Sequence, residues 1–166
     1  MATVYIGIGS NVGGRADNIR VALCSLARNV RVAAASPLYE TSPVGGPPQR
    51  PYLNAAARIE TPLPLPELLA LLKSIERSMG RAASTERNVP RAIDLDILLA
   101  GRRVIRGRTL AVPHPRLAQR RFVLVPLSRI APGARHPLLH KTVRSLAARA
   151  AAAHPEQKVR QYRKKD

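Results

Sequence analysis

The sequence contains few aromatic residues and a single cysteine. Aromatic side chains make up 3% of its 166 residues, so we expect a core built mainly from aliphatic side chains. The lone Cys24 excludes an internal disulfide and a zinc site built from several cysteines. Because Cys24 falls within an apolar helical pattern, we interpret it as a small buried side chain rather than a nucleophile.

Long apolar runs are also missing. No stretch approaches the roughly 18 apolar residues that a membrane-spanning helix requires. The chain begins with a strand-like segment instead of a basic segment followed by a long apolar stretch. We therefore expect a cytoplasmic protein without a membrane partner.

Acidic residues are scarce. Ten Asp and Glu residues stand against 28 Lys and Arg residues, for a formal net charge of +18. Such a charge predicts attraction to polyanions, namely nucleic acids, acidic membranes or nucleotide phosphates, without choosing among them. At this length, with 45% hydrophobic residues, we expect one domain over 1–166, with 158–166 as a frayed basic tail.

The order of apolar patterns predicts the fold. Strands are expected at 3–9, 30–39, 52–60 and 94–99, with helices at 17–29 and 67–79. This order is that of a ferredoxin-like βαββαβ core, an α+β fold whose antiparallel sheet carries helices on one face and leaves the other face open. A hairpin near 104–110 and helices near 122–130 and 141–153 should follow.

Two segments between these elements could bind ligands. Residues 40–51 form a loop rich in proline and glycine, and loops of this length are usually binding loops or lids. The Gly-Ser-Asn-x-Gly-Gly junction at 9–14 resembles a phosphate cradle at a helix start. Because it lacks the lysine of a Walker A loop, we favour a simple strand-to-helix turn there.

Two aspartates one residue apart begin the strand at 94–99. Side chains alternate along a strand, so Asp94 and Asp96 should project from one face, roughly 6.5 Å apart. Magnesium is usually held by one or two carboxylates together with substrate phosphates. Arg81 and Arg91 lie upstream, where they could neutralise a polyanion. The alternative is a strand end whose aspartates make surface ion pairs. The residues expected to point into the core are Ile93, Leu95, Ile97 and Leu99.

The chain as a whole resembles the 6-hydroxymethyl-7,8-dihydropterin pyrophosphokinases. Each landmark alone would be weak, but their order and spacing are specific. They are 5–11 (YIGIGSN), 39–45, 52–56 (YLNAA), 75–76, 80–81, 90–97 (PRAIDLDI), 112–114 (VPH), 120 and 122.

The resemblance implies an ATP-dependent diphosphotransferase of folate biosynthesis. Such an enzyme moves pyrophosphate from ATP to the hydroxymethyl group of 6-hydroxymethyl-7,8-dihydropterin and releases AMP. The acceptor oxygen attacks the β-phosphorus in line, and catalysis depends on positioning and charge neutralisation. The resemblance further implies two Mg²⁺ ions, ATP and a dihydropterin alcohol as partners, no nucleic acid, and a monomer.

The resemblance also implies a role for individual residues. Asp94 and Asp96 would bind the metal ions and form the catalytic set together with Arg81 and Arg91. The implied ATP-binding residues are Lys73, Glu76, Arg81, Arg91, Ile97, His114 and Arg120. The implied pterin-binding residues are Thr41, Ser42, Pro43, Val44, Tyr52, Asn54 and Phe122, with the pterin between Tyr52 and Phe122.

This sequence departs from the pattern of the family at several positions. Asn88 and Val89 stand where an aromatic residue and a glycine are common, and Ala83 stands where an arginine is often found. We therefore expect weaker pterin stacking and altered closure of the loop at 80–90. Further departures on the nucleotide side are Lys73, Thr109, Ala111 and Pro115.

Two other functions fit parts of the sequence. A ferredoxin-like RNA-binding module would suit the charge, but such modules stack bases on aromatic residues that this chain almost lacks. An inactive paralogue kept as a partner-binding domain would not need the aspartate pair and Arg91. Individual residues also have plainer interpretations: Phe122 in the core, Glu76 in solvent and His114 as a structural residue.

Overall fold

The structure, a computed structural model, describes residues 1–43, 48–80 and 92–164. All structural statements below concern these residues. In chain order the elements are β1 (Ala2–Ser10), α1 (Arg15–Ala27), β2 (Arg31–Ala35), β3 (Tyr39–Thr41), β4 (Tyr52–Thr61), α2 (Leu65–Ser78), β5 (Asp94–Leu99), β6 (Ile105–Arg106), β7 (Ala111–Val112), a 3-10 helix (Leu117–Gln119), α3 (Arg121–Ile130), α4 (Val143–Ala153) and β8 (Val159–Gln161).

The main sheet is antiparallel and has the strand order β5-β1-β4-β3-β8, with β2 also paired to β4. Strands β6 and β7 form the predicted hairpin as a separate sheet. The predicted α+β fold with a ferredoxin-like order of elements is confirmed. Strand β1 pairs with both β4 and β5, and β5 lies at the edge of the sheet, so the aspartate strand has a strand neighbour on one side only among the described residues.

Helices α1 and α2 bury their apolar sides against one face of the sheet. In α2 the buried residues Leu65, Leu68, Leu72 and Ile75 recur every three or four positions, which places them on a single stripe. In α1 the stripe is Ile19, Ala22 and Leu26. Cys24 lies off that stripe and is exposed, so the prediction that it is buried was wrong. None of the described helices combines the length and apolar character needed to cross a membrane.

Helices α3 and α4 cover part of the opposite face, where the sequence predicts an open surface. A second core cluster joins sheet residues to these helices. Leu99 belongs to it, although strict alternation places Leu99 with the first cluster. The pairing of β1 with β5 shifts register between Tyr5 and Ile6, and this shift turns Leu99 toward the second cluster. Its other main members are Ala56, Leu98, Leu117, Leu124, Leu127 and Leu146.

The single strand predicted at 30–39 is two strands. Strands β2 and β3 both pair with β4 and are separated by 36–38. Pro37 has no backbone N–H to contribute to a ladder, and the Ser36 hydroxyl instead accepts a hydrogen bond from the Ala56 N–H at 2.9 Å. After the break, β3 pairs with the first residues of β4, whereas β2 pairs with later ones.

The basic tail is not frayed over 159–161. Strand β8 pairs with β3 in antiparallel fashion, with Thr41 opposite Val159. The Arg160 guanidinium donates to Glu40 at 2.7 Å, and together with Arg15 it lowers the pKa of the Glu40 carboxyl. The prediction of a frayed tail was wrong because β8 satisfies the outer edge of β3, a distant partner that local sequence does not reveal.

A buried histidine organises the connection between α3 and α4. His136 is 6% exposed, and its Nδ1 accepts hydrogen bonds from the backbone N–H groups of Leu138 at 3.2 Å and Leu139 at 3.1 Å. Nδ1 can accept only while it carries no proton. Burial, and to a lesser degree the nearby His140, lower the pKa of His136. The folded connection therefore requires the neutral ring.

We expect acidification to destabilise the protein through His136. A lowered folded-state pKa gives stability that is lost as pH falls below the ordinary value of 6.5. Loss of two acceptor bonds should cost about 1–2 kcal/mol. Urea unfolding at neutral pH and near pH 5 would measure this loss. His136→Asn, which keeps an acceptor oxygen that does not titrate, should show a smaller loss than wild type.

His154→Asn is the matched control, because His154 is partly exposed and contacts only Glu156 at 3.3 Å through its ring. Its pH dependence should follow that of wild type. Equal pH dependence in wild type and His136→Asn would contradict the assignment.

Candidate functional site

Asp94 and Asp96 lie on β5 and line one open cleft. Their neighbours Leu95 and Ile97 point into the core formed with α1 and α2. The predicted arrangement, with two carboxylates on one face and apolar side chains on the other, is therefore present. The carboxylates lie on the face that α3 and α4 cover only in part.

Two glycines form the floor of the cleft beside the aspartates. In β1, Gly7 lies opposite Asp96 and Gly9 lies opposite Asp94. On the other side of β1, Gly9 lies opposite Asn54 of β4. A Cβ atom on Gly9 would come within 2.7 Å of the Asn54 Oδ1. The sheet therefore has a strip without side chains between the carboxylates and Asn54.

The strand expected at 3–9 contains both glycines, but neither is among the predicted site residues. Their Gly-Ile-Gly spacing at 7–9 places both on one face of a strand. Glycine within a strand often marks the close approach of a ligand or of another chain segment. That spacing was the available signal.

The cleft has an empty volume of about 840 Å³, part of it open to solvent. It brings together nine of the predicted site residues: Thr41, Ser42, Pro43, Tyr52, Asn54, Asp94, Asp96, Arg120 and Phe122. It also contains residues that were not predicted: Gly7, Ile8, Gly9, Gln49, Ala55, Leu98 and Val123.

One wall of the cleft is a buried amide with a fixed orientation. Asn54 is 7% exposed, and its Nδ2 donates to the Thr41 hydroxyl at 2.7 Å. The side-chain oxygen is the atom nearest to a Cβ built on Gly9. A ligand on the glycine floor would therefore meet a carbonyl oxygen whose position is set by Thr41.

The opposite wall is aromatic and cationic. Phe122 lies in the first turn of α3, and the Arg120 guanidinium lies 5.4 Å from the centre of its ring. This separation is typical of a cation–π contact. Tyr52, at the start of β4, also lines the cleft. The plain interpretation of Phe122 as a core residue does not hold.

The carboxylates strongly influence each other. The pKa of Asp96 is raised to about 7, first by burial and then by the neighbouring Asp94 carboxylate, while Lys73 and Arg120 oppose the rise. A bound cation would favour the ionised form of Asp96 and so oppose this shift. The described residues contain no group of three or more His, Cys, Asp or Glu able to hold a metal ion. The pair therefore fits a hard divalent cation that takes its remaining ligands from substrate oxygens and water.

Glu76 holds the aspartate strand from its outer edge. Its side chain is 2% exposed, and Oε1 accepts a hydrogen bond from the Leu95 N–H at 2.8 Å. Leu95 is the residue between the two aspartates. The other carboxylate oxygen lies 3.3 Å from the Lys73 ammonium. The interpretation of Glu76 as a solvated helix residue was wrong, since it fixes the backbone from which the carboxylates project.

His114 and Ile97 lie near the site, but neither side chain is among the described residues that line the cleft. The backbone N–H of His114 donates to the Leu98 carbonyl at 2.9 Å. Burial, followed by the charge of Arg120, lowers the pKa of His114 to about 4, so its ring is neutral at physiological pH. Ile97 is buried in the first core cluster, which leaves only its main chain to a ligand.

Three predicted site residues, Val44, Arg81 and Arg91, lie outside the described residues, as do the departures Ala83, Asn88 and Val89. The junction at 9–14 is the expected strand-to-helix turn. Asn11 in this turn is buried, and its Nδ2 donates to the Gln49 Oε1 at 2.7 Å. No spacing in the proline-rich loop signalled that Gln49 reaches the cleft.

Solved structures of known proteins share this fold. A crystal structure of wild-type Plasmodium falciparum HPPK-DHPS with pteroate matches 93% of this chain with a TM-score of 0.73. The identity is 16%, and the match covers 43% of that longer chain. At this identity the likeness supports the fold alone.

Sequence comparisons are more specific. The sequence profile of 7,8-dihydro-6-hydroxymethylpterin-pyrophosphokinase (HPPK) matches residues 5–132. The 2-amino-4-hydroxy-6-hydroxymethyldihydropteridine pyrophosphokinase of Bacillus subtilis is 45% identical over 128 residues, which are 76% of each chain. The protein of the same name from Aquifex aeolicus is 40% identical over 144 residues, 87% of this chain and 89% of its own.

Some relatives are much longer. This chain spans 21% of the folic acid synthesis protein FOL1 of Dictyostelium discoideum, at 40% identity. The bacterial relatives, by contrast, match over most of their length. From the profile match and these identities, the chain belongs to the HPPK family of diphosphotransferases.

Proposed function

We propose that this protein transfers pyrophosphate from ATP to the hydroxymethyl group of 6-hydroxymethyl-7,8-dihydropterin and releases AMP. The observation that carries the proposal is a single cleft with two kinds of lining. A carboxylate pair, Asp94 and Asp96, lies on one side of a glycine floor, and a pocket of aromatic and amide groups lies on the other. The names of the bacterial relatives identify the same reaction class.

The acceptor side suits a flat, polar ring system. Tyr52 and Phe122 offer aromatic faces, and Asn54 offers an amide held by Thr41. An amide can both donate to and accept from the edge of a pterin. The glycine floor lets the ring lie directly on the sheet, because no side chain projects from Gly7 or Gly9. The roles of Ser42, Pro43 and Val44 in binding the pterin remain proposals based on the family resemblance.

On the nucleotide side we propose that Asp94 and Asp96 hold two Mg²⁺ ions. When bound, these ions would neutralise triphosphate charge and favour the alkoxide form of the acceptor. The raised pKa of Asp96 is consistent with this, because burial and then the Asp94 carboxylate disfavour the ionised form, and a bound cation would oppose both. Glu76 keeps both carboxylates in register by holding the Leu95 N–H.

Arg120 connects the two sides. Its guanidinium packs over the Phe122 ring and opposes the raised pKa of Asp96, so it lies where charge develops between the substrates. Neutral His114 can contribute hydrogen bonds but no charge. Arg81 and Arg91 would bind phosphate oxygens, and Lys73 and Ile97 would contact the nucleotide. These roles are carried over from the family resemblance.

We also propose that residues 1–166 act as one catalytic domain and as a monomer in the cytoplasm, without nucleic acid or a membrane as partners. Of the aromatic residues of the cleft, Tyr52 lies at the start of the central strand β4 and Phe122 lies on α3, whereas RNA-binding sheets stack two or three bases on aromatic residues of the sheet. One aromatic residue of the cleft on the sheet offers little stacking surface for bases. The aspartate pair on the same face would repel a phosphate backbone that brought no metal ion.

The direct test is to mix purified protein with ATP, magnesium and 6-hydroxymethyl-7,8-dihydropterin and to identify the products. AMP and the pterin diphosphate should form in equal amounts. Formation of ADP, or no consumption of the pterin, would contradict the proposal. Tight, salt-sensitive RNA binding without turnover would favour the RNA-binding alternative.

Asp96→Asn should lower kcat by about 100- to 1,000-fold, the range expected when a major electrostatic group of a reaction is removed. The fold should persist, because the new side chain has nearly the same shape. Asp17→Asn is the matched control, since the Asp17 side chain is 80% exposed on α1. Steady-state rates with circular dichroism would check both variants. Similar rates for Asp96→Asn and Asp17→Asn would remove Asp96 from the mechanism.

Gly9→Ala should raise the KM for the pterin about tenfold and leave the KM for ATP nearly unchanged. The new Cβ would lie 2.7 Å from the Asn54 Oδ1, and displacement of this amide disrupts its bond to Thr41; a lost buried hydrogen bond costs about 1–3 kcal/mol. Gly133→Ala is the control, because a Cβ there would meet no described atom within 4 Å and Gly133 is not among the described residues that line the cleft. A pterin KM that rises as much in Gly133→Ala as in Gly9→Ala would contradict this explanation.

A further inference from the structure

The C-terminal segment contacts both walls of the acceptor pocket. The match to the family profile ends at residue 132, so this segment lies beyond it. Strand β8 nevertheless joins the main sheet at its edge. Gln157 lies two residues before β8 and is buried, with 8% of its surface exposed. A buried amide at this position requires hydrogen-bonding partners.

Gln157 binds the chain on both sides of Arg120. Its Oε1 accepts a hydrogen bond from the Arg121 N–H at 2.9 Å, and its Nε2 donates to the Gln119 carbonyl at 3.0 Å. The Arg121 guanidinium in turn donates to the Gln157 carbonyl at 2.6 Å. The first N–H groups of a helix have no partner within the helix, so Gln157 supplies the partner that begins α3. Phe122 is the next residue along.

The following residues hold the other wall. The Ser42 N–H donates to the Lys158 carbonyl at 3.2 Å, and the Lys158 N–H donates to the Ser42 hydroxyl at 3.3 Å. Val159 then pairs with Thr41. Residues 157–159 therefore join the wall that contains Thr41 and Ser42 to the wall that begins at Arg120.

We propose that Gln157 is a positioning residue for the acceptor. It acts through the main chain of Gln119 and Arg121 to fix the direction in which Arg120 and Phe122 project into the cleft. Binding sites need side chains held to within about 0.5 Å of their productive geometry, and a ring stacked on one face of a ligand is sensitive to tilt. The inference rests on the proposed function, since it assigns the Phe122 wall to the pterin.

The proposal separates Gln157 from a residue that only stabilises the fold. A purely stabilising residue would lower the melting temperature but leave the KM values of the folded enzyme unchanged. A positioning residue changes the KM of the substrate whose wall it holds. The Asp94 and Asp96 side of the cleft has its own support from Glu76, so the KM for ATP should respond only through Arg120 and should rise less than the KM for the pterin.

The test uses Gln157→Met, which keeps the length of the side chain and removes both amide bonds. We expect the KM for the pterin to rise about tenfold, equivalent to about 1.4 kcal/mol, with a clearly smaller rise in the KM for ATP, which Gln157 affects only through Arg120. Calorimetric binding of the pterin alcohol, measured with a non-hydrolysable ATP analogue present, should weaken by a similar factor. The matched control is Gln161→Met on β8, where Gln161 makes only a 3.5 Å side-chain contact with Arg129.

Gln157→Glu is a second variant, because it keeps an acceptor for the Arg121 N–H but loses the donor to Gln119. Its KM for the pterin should lie between those of wild type and Gln157→Met. Unchanged pterin KM and affinity in folded Gln157→Met, or in Gln157→Glu if Gln157→Met does not fold, would overturn the inference. Equal rises for pterin and ATP would also overturn it. Wild-type protein that forms no AMP would instead overturn the proposed function.

Discussion

Two like charges held side by side on one strand set the conditions for the rest of this structure. Burial, and then the neighbouring Asp94 carboxylate, raise the pKa of Asp96. A carboxylate pair of this kind is tolerated where a cation completes it. The buried Glu76 adds a further negative group beside the pair while it holds the backbone between them. The site is therefore stable in its ionised form only with added positive charge, which magnesium and the nearby basic residues would supply.

The glycine floor leaves open space on the sheet beside the aspartate pair. Side chains at Gly7 and Gly9 would fill the strip between the carboxylates and Asn54. Without them, a flat ring can lie against the sheet close to Asp94 and Asp96. Arg120 lies at the meeting point of the two halves, where it contacts Phe122 and influences Asp96. The cleft thus combines two environments that a single strand could not provide.

Features that depend on local periodicity were predictable from the sequence. Alternation placed Asp94 and Asp96 on one face, and the order of elements indicated the ferredoxin-like core. Features that depend on distant pairing were not predictable. Strand β8 is short and basic, and only its partner β3, more than a hundred residues earlier in the chain, makes it a strand. Glu76 has the spacing of an ordinary helix residue, and its burial follows from the position of α2 beside β5.

Two further features also depend on distant parts of the chain. They are the break between β2 and β3 at Ser36 and Pro37, and the packing of α3 and α4 on the second face of the sheet. Proline in the sequence predicts an interruption of the strand. That the chain on both sides of it pairs with the same strand, β4, is visible only in the fold. The apolar residues of α3 and α4 require some surface to pack on, and the sequence does not say which face of the sheet they use. The helix boundaries were closer to expectation. Among the described helices, only α4 begins with a side-chain cap, the Thr142 hydroxyl, which accepts from the Ser145 N–H.

The late position of strand β8 has a consequence for biosynthesis. A ribosome releases the chain from its N-terminus, and early segments begin to fold first. Residues 157–161 follow all the other described elements along the chain, yet they hold Ser42 on one side of the pocket and the start of α3 on the other. The cleft therefore takes its final shape only after residue 161 has been synthesised and has left the ribosome. A chain that stalls before residue 157 would keep the aspartate pair of β5 without the contacts that complete the other side of the cleft.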